Sequence, residues 1–215
     1  MTSAERALPL FPLEQVVLFP GMVLPLRIFE ERYKVMIGAC QVTDQLFGVL
    51  LIRSGREVGE PAVPERVGCT ARITRLDRLA DGQMNILTVG EQRFRLLGPP
   101  RTTPEGYLEG DVRMLAEPPT PDIAEDLLSG VSGEFEKYQK ALLALTGQQG
   151  SGPPALPREP NALSYRVGAM LYVHPRERQQ LLELDDVAAR LQRELILLRR
   201  ENLPAAGVIG PFSRN

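Results

Sequence analysis

The hydrophobic period of this chain changes once, near residue 117, and that change constrains its fold more than any single motif. Up to about residue 115 the pattern is mostly that of strands. Val67, Cys69, Ala71 and Ile73 alternate with Gly68, Thr70, Arg72 and Thr74, a two-residue period with one apolar face. Leu108, Val112 and Met114 likewise alternate with Glu109, Asp111 and Arg113, whereas Leu46–Ile52 is apolar almost throughout, as in a strand covered on both faces. Asp81-Gly82 separates a strand near Arg72–Leu79 from one near Gln83–Val89 and predicts a hairpin. One helix interrupts this region: Phe29, Tyr33, Met36 and Ile37 fall at i, i+4, i+7 and i+8. With Pro20-Gly21 and Pro99-Pro100 as breakers, the short strands suggest a closed or partly closed sheet.

After Glu117-Pro118-Pro119 the period is helical. Leu128, Val131, Phe135, Tyr138, Leu142 and Leu145 form one stripe ending at Gly147, with Thr120 as expected N-cap and Pro121 at the first helical position. Gly130 and Gly133 weaken its early turns and allow a later start. A Gly-, Pro- and Gln-rich loop over 147–160 precedes a helix carrying Leu163, Val167, Met170 and Leu171, then a short helix from Pro175. Asp185 is the expected cap of a last helix running to about Glu201. The reading is therefore α+β: a β-rich subdomain over 8–117 with one inserted helix, a C-terminal helical bundle over 118–203, and a tail over 204–215.

Three places could carry a function. Arg72 and Arg75, with Arg78, lie on or near one strand, while Arg93 and Arg95 share a face of another, opposite Phe94 and Leu96. Were those strands neighbours, their charge would collect on one sheet surface. That surface is either a solvated face laced with ion pairs or a groove for acidic peptide or phosphate backbone. In Phe29-Glu30-Glu31-Arg32-Tyr33, Glu30 and Arg32 either pin the helix or touch a ligand. In the last helix Leu184, Val187, Ala188, Leu191, Leu195 and Leu198 form one stripe, and Ile196 and Leu197 fall outside it. Such a helix is either wedged between neighbours or offers a contact to a partner.

Catalytic chemistry finds no footing. No Gly-Lys pair occurs, so no P-loop can be drawn. His174, the single histidine, has no partner at metal-ligand spacing, and no nucleophile, base or metal set clusters, so neither a metal nor another cofactor is expected. Cys40 and Cys69 sit in apolar surroundings and read as core thiols, with a disulfide between them left open. A net charge of −2 disfavours wholesale nucleic-acid binding. No apolar run reaches the ~18 residues of a membrane span, and Met1-Thr2-Ser3-Ala4-Glu5-Arg6 does not read as an export signal; a cytoplasmic location is the expectation.

A further series of short motifs is diagnostic in combination. It begins with Leu8-Pro9-Leu10-Phe11-Pro12-Leu13, Val16-Val17-Leu18-Phe19-Pro20-Gly21 and Leu24-Pro25-Leu26-Arg27-Ile28-Phe29-Glu30. It continues with Phe47-Gly48-Val49-Leu50, Val67-Gly68-Cys69-Thr70-Ala71, Asn85-Ile86-Leu87-Thr88-Val89-Gly90 and Arg93-Phe94-Arg95-Leu96-Leu97. Together these resemble the amino-terminal domain of the Lon protease family, its substrate-binding module, over roughly residues 8 to 200. Where that family typically reads Phe-Glu-Pro-Arg-Tyr, this chain has Glu31 in place of Pro. The resemblance implies a PUA-like pseudo-barrel and a non-catalytic module that holds unfolded or flexible polypeptide segments in a groove between barrel and bundle, with a separate protease or chaperone as a possible associate. The family's peptidase uses a Ser activated by a Lys, and Lys34, Lys137 and Lys140 lie in no segment resembling that site. PUA-like barrels include RNA readers, which makes an Arg-rich RNA-binding face the alternative. No feature of the sequence sets an oligomeric state.

Overall fold

The computed structural model describes residues 5–55, 62–117, 122–146 and 155–202. The chain divides into two compact units, Met1–Glu117 and Pro118–Asn215. The first contains β1 (Glu5–Leu13), β2 (Val23–Ile28), α1 (Glu31–Gln41), β3 (Leu46–Ser54), β4 (Val63–Pro64), β5 (Val67–Arg78), β6 (Met84–Leu96), β7 (Arg101–Thr102) and β8 (Leu108–Met114). The strands run β6-β5-β3-β1-β8, and β8 pairs back to β6, closing a ring. β1 and β3 are parallel, and the other pairings are antiparallel. Among the described residues β2 pairs with β6 alone and so hangs on the flank of the ring.

The length of β6 makes this closure possible. Its first half is bordered by β2, and its last residues, Phe94–Leu96, by β8. Register shifts between Cys69 and Ala71 and between Ile73 and Arg75 break the β5–β6 ladder, the kind of irregularity that bends a strand pair. The β5–β6 turn has Gly82 at φ +78°, with Asp81 Oδ1 accepting from the Gln83 N–H at 3.0 Å. The hairpin expected at Asp81-Gly82 therefore forms.

The strand faces feed two apolar clusters. One joins Phe11, Leu13, Phe47, Val49, Cys69, Ala71 and Ile73 to Tyr33, Met36, Ile37 and Cys40 of α1. The other gathers Leu8, Leu10, Leu50, Phe94, Leu96 and Val112. Burial on β5 exceeds what its alternation suggested, since Gly68 and Thr70 are also buried. For Gly68 the cause is the Phe94 ring. A Cβ on Gly68 would sit 2.8 Å from it and 2.4 Å from the Val49 carbonyl oxygen, and a Cβ on Gly48 would sit 2.7 Å from it. Both glycines make room for one aromatic side chain. Cys40 and Cys69 are buried free thiols; desolvation pushes the Cys40 thiol up to about 11 and that of Cys69 higher still.

The expected α1 stripe needs one correction. Phe29 lies before the helix and is 57% exposed, while the buried face comprises Tyr33, Met36, Ile37 and Cys40.

The second unit holds α2 (Glu125–Thr146), α3 (Pro160–Met170), α4 (Pro175–Glu183) and α5 (Val187–Asn202). Thr120 and Pro121 lie outside the described residues, but α2 starts at Glu125, with the Ala124 carbonyl accepting from Leu127 and Leu128, so it starts later than a Thr120 cap would place it. Residues 147–154 of the expected loop, residue 203 and the expected tail over 204–215 also lie outside the described residues. α3 is capped by Glu159, whose carboxylate accepts from the N–H groups of Asn161 and Ala162, and α4 by His174, whose Nδ1 accepts from Arg176 at 3.2 Å. Asp186, rather than Asp185, caps α5 through a 2.7 Å bond from the Ala189 N–H. Met170, placed by periodicity on the buried face of α3, is partly exposed; Leu163, Val167 and Leu171 make up that face together with Ser164 and Tyr165.

Candidate functional site

The β2–β6–β5 sheet turns one face to the cluster that includes α1 and the other to solvent. On β2, Leu24 and Ile28 point inward while Val23, Pro25 and Arg27 are exposed. On β6, Met84, Ile86 and Thr88 are buried while Asn85 and Leu87 are exposed and Val89 half-buried. Thr88 satisfies its hydroxyl by donating to the Leu24 carbonyl at 2.9 Å. The register aligns the outward residues in three rows across the strands: Val23–Val89–Arg72, Pro25–Leu87–Arg75 and Arg27–Asn85–Asp77. Partners in such rows sit about 5 Å apart, so their side chains form one continuous surface.

That surface has an apolar centre and a charged border. Val23 is 53% exposed and Leu87 37%, with Pro25 between them in the ladder. Pro25 suits a strand bordered on one side only, where a missing N–H disrupts no interior ladder. Phe29, the next residue of the same parity after Arg27, extends the exposed apolar series. Nothing in the local hydropathy of 23–29 marks this patch, because its second half arrives some sixty residues later on β6. The signal was the exposed-side alternation of Val23, Pro25 and Arg27, and it becomes informative only once the register is known.

The arginines singled out from the sequence meet different fates. Arg72 binds both carboxylate oxygens of Glu91 and donates to the Asp44 carbonyl at 2.8 Å; the Glu91 carboxylate raises its guanidinium above the ordinary range. Arg75 pairs with Asp77 at 2.9 Å. Arg95 stands half-buried opposite Arg113. Arg93 departs from the expectation of a shared exposed face. Its side chain is fully buried and pairs with Glu117 at 3.1 Å, because the chain beyond β8 passes over it: the Leu115 N–H donates to the Arg93 carbonyl and Gln92 donates to the Leu115 carbonyl. The four arginines thus do not make one open basic surface.

Glu30 and Arg32 bond to each other at 2.9 Å, and the Arg32 guanidinium lies 4.5 Å from the centre of the Tyr33 ring. Tyr33 packs on Phe11 with ring centroids 4.2 Å apart, which ties the start of α1 to the main apolar cluster. On α5 the two residues proposed as a pair separate. Ile196 is 57% exposed, whereas Leu197 is buried at 1% and belongs to the core, correcting its candidacy as a contact. The buried face of α5 comprises Val187, Arg190, Leu191, Glu194, Leu197 and Leu198, so it is wide enough to take Leu197 and also two charged residues.

With this geometry in hand, comparison with known proteins is decisive for the family. Residues 7–200 match the model of the ATP-dependent protease La (LON) substrate-binding domain. The chain belongs to that family. It is 29% identical over 206 residues to a Lon protease of Roseiflexus castenholzii and 32% identical over 198 residues to Lon protease 2 of Herpetosiphon aurantiacus. These alignments cover 91% and 90% of this chain but 24% of each relative, so the chain spans about a quarter of the length of the curated relatives it matches. Among solved structures, a Lon N-terminal domain protein from Xanthomonas campestris superposes with a TM-score of 0.69 at 27% identity, covering 89% of this chain and 98% of that one. The N-terminal domain of a Mycobacterium avium complex Lon protease shares the fold at 19% identity and a TM-score of 0.63. The α+β LON substrate-binding fold expected from the sequence motifs is the one observed.

Proposed function

We propose that this chain is a non-catalytic module that holds unfolded or extended polypeptide segments, and that the outward face of β2 and β6 is where they lie. The observation that carries the reading is the row structure of that face. Val23, Pro25, Leu87 and Val89 form a contiguous apolar surface on a strand pair, and Phe29 lies close along the chain. Contiguous exposed apolar groups mark contact sites more often than scattered ones do. A strand face also suits an extended occupant, whose same-side residues recur about every 7 Å, as do those of β2. The family description supports the class of ligand, since a substrate-binding domain of a protease receives polypeptide.

Such binding is weak for each contact. Ordering a flexible segment cancels much of the gain from burying a few apolar side chains, which places the expected Kd near micromolar or weaker. Under this reading the module does not cleave or hydrolyse, and a separate protease or chaperone acts on what it holds. Among the described residues no group of His, Cys, Asp and Glu is placed to hold a metal ion, and no helix is long and apolar enough to cross a membrane.

The test is fluorescence anisotropy with a labelled, permanently unfolded protein such as reduced, carboxymethylated α-lactalbumin. Saturable binding is expected, weakened about tenfold in the double variant Val23→Ser, Leu87→Ser through loss of apolar contact area. No binding up to about millimolar protein, or full binding by the double variant, overturns the assignment to this face.

A further inference from the structure

We infer that Arg27 sets a preference for an acidic residue in the segment that this face holds; the inference rests on the polypeptide-binding reading above and sharpens its ligand class. Three arginines border the apolar centre of the face, in rows fixed by the β2–β6–β5 register. Two are already neutralised by carboxylates of the same sheet: Arg72 by Glu91 and Arg75 by Asp77. Arg27 is different. Its Nε donates at 2.8 Å to the carboxamide oxygen of Gln83, a neutral group, and among the described residues no carboxylate pairs with it. The face therefore carries three cations against two anions, with the uncompensated charge at one end of the β2 row.

Position then specifies what that charge reads. Arg27 lies two residues beyond Pro25 and four beyond Val23 on the same side of one strand, at spacings of about 7 and 14 Å. An extended segment lying along β2 with apolar side chains over Val23 and Pro25 brings its next same-side residue within reach of the guanidinium. A carboxylate there is met by a planar donor whose remaining N–H groups suit two-point contact. An amide gains less, and an ammonium is repelled. Gln83, from the β5–β6 turn, holds the Arg27 side chain in place while contributing no charge.

The experiment uses three labelled, unstructured peptides that share an alternating Leu-Thr-Val-Ser core and differ in one residue, Glu, Gln or Lys, placed in separate versions at either end so that both strand directions are sampled. Anisotropy titrations at about 50 mM and 500 mM salt should rank Glu above Gln above Lys by about two- to fivefold per step at low salt, with the ranking compressed at high salt. Arg27→Gln should abolish the difference between Glu and Gln. Gln83→Glu, which would give Arg27 an internal carboxylate like those of its two neighbours, should abolish it as well with the arginine retained. Equal binding of the three peptides by the unmodified protein, or an undiminished Glu preference in Arg27→Gln, overturns the inference and leaves the polypeptide-binding reading intact. Absence of binding for all three overturns both.

Discussion

Arg72 of the β-rich unit and Arg190 of the helical unit each make three hydrogen bonds through the same three nitrogens, yet in opposite surroundings. Arg72 is half-exposed and gives two of its bonds to one carboxylate, that of Glu91. Arg190 is fully buried and gives its bonds to neutral acceptors: Ser164 Oγ at 2.7 Å, the Leu184 carbonyl at 2.8 Å, and Asn161 Oδ1. The Tyr165 ring lies 4.2 Å from its guanidinium. On its exposed sheet face the first unit pairs Arg72 and Arg75 with carboxylates, and it gives its buried Arg93 a carboxylate too, Glu117, which leaves that face nearly neutral with Arg27 in excess. The second unit takes a full charge into its core and compensates it with dipoles and an aromatic face. A surface pair contributes little, while a buried charge makes every partner indispensable.

Arg190→Met sharpens that difference most. It approximates the side-chain volume but strands the acceptors on Asn161, Ser164 and Leu184, and should destabilise the helical unit by about 3–5 kcal/mol, read from urea unfolding by far-UV circular dichroism. A loss under about 1 kcal/mol would break the comparison, because it would mean that the buried guanidinium and its replacement are equivalent.

Next in size is Glu194, one turn beyond Arg190 and also fully buried. Its Oε1 accepts from the Ser164 hydroxyl at 2.8 Å, its Oε2 has no hydrogen-bond partner among the described residues, and Ser164 stands between it and Arg190. Desolvation raises its carboxyl well above the usual range, opposed by the Ser164 bond and the Arg190 charge. The sign follows from linkage. A carboxyl held protonated in the fold contributes its stability in full below the unfolded value near 4.5, and that contribution is lost as pH rises towards the raised folded value. Glu177 and Glu134, lowered by Arg200 and by Lys137 respectively, lose theirs in the opposite direction, as pH falls. Glu194→Gln, which mimics the protonated acid, should therefore remove a downward slope of stability above about pH 4.5 that the unmodified protein shows relative to it. Identical slopes in the two proteins would place Glu194 in its ionised form.

How far these features could be read from sequence differs between the units for a physical reason. Alternation over Leu108–Met114 and the Asp81-Gly82 turn are local, and β8 and the β5–β6 hairpin form where they indicate. The apolar face of Val23, Pro25, Leu87 and Val89 is not local: it exists only through the β2–β6 register. Arg190 and Glu194 were obscured in another way. The expected stripe on α5 passed through Leu191, Leu195 and Leu198, but the buried line runs 187, 191, 194 and 198, so that half-buried Leu195 yields its place to a carboxylate. Choosing leucine over glutamate at adjacent positions is the natural choice by hydropathy, and only a partner such as Ser164 on α3 reverses it. Leu197 followed from the same width: positions 190, 194 and 197 form a second buried line.

A smaller effect separates stability from binding on the β-rich unit. Val23→Ser and Leu87→Ser replace side chains that face solvent and lie outside the apolar clusters, so each should change unfolding free energy by no more than about 0.5 kcal/mol while weakening polypeptide binding. A larger loss would mean that the exposed apolar face supports the sheet itself, and the contrast with the buried network of α5 would narrow.

The smallest expected effect belongs to Arg72, and it bears most directly on the comparison. Arg72 and Glu91 meet across the β5–β6 pair in two-point geometry, yet both side chains remain more than a third exposed, so water and salt already screen most of their attraction. A double-mutant cycle with Arg72→Gln and Glu91→Gln should give a coupling of about 0.2–1 kcal/mol, falling further near 0.5 M salt. The Asp44 carbonyl, which the guanidinium also contacts, keeps the single Arg72 variant from isolating the pair; the cycle subtracts that bond because it is lost in both legs. A coupling of several kcal/mol that resists salt would mean that geometry outweighs exposure in setting the strength of an arginine contact, and the ranking of Arg190 above Arg72 would then have to rest on burial of the acceptors alone.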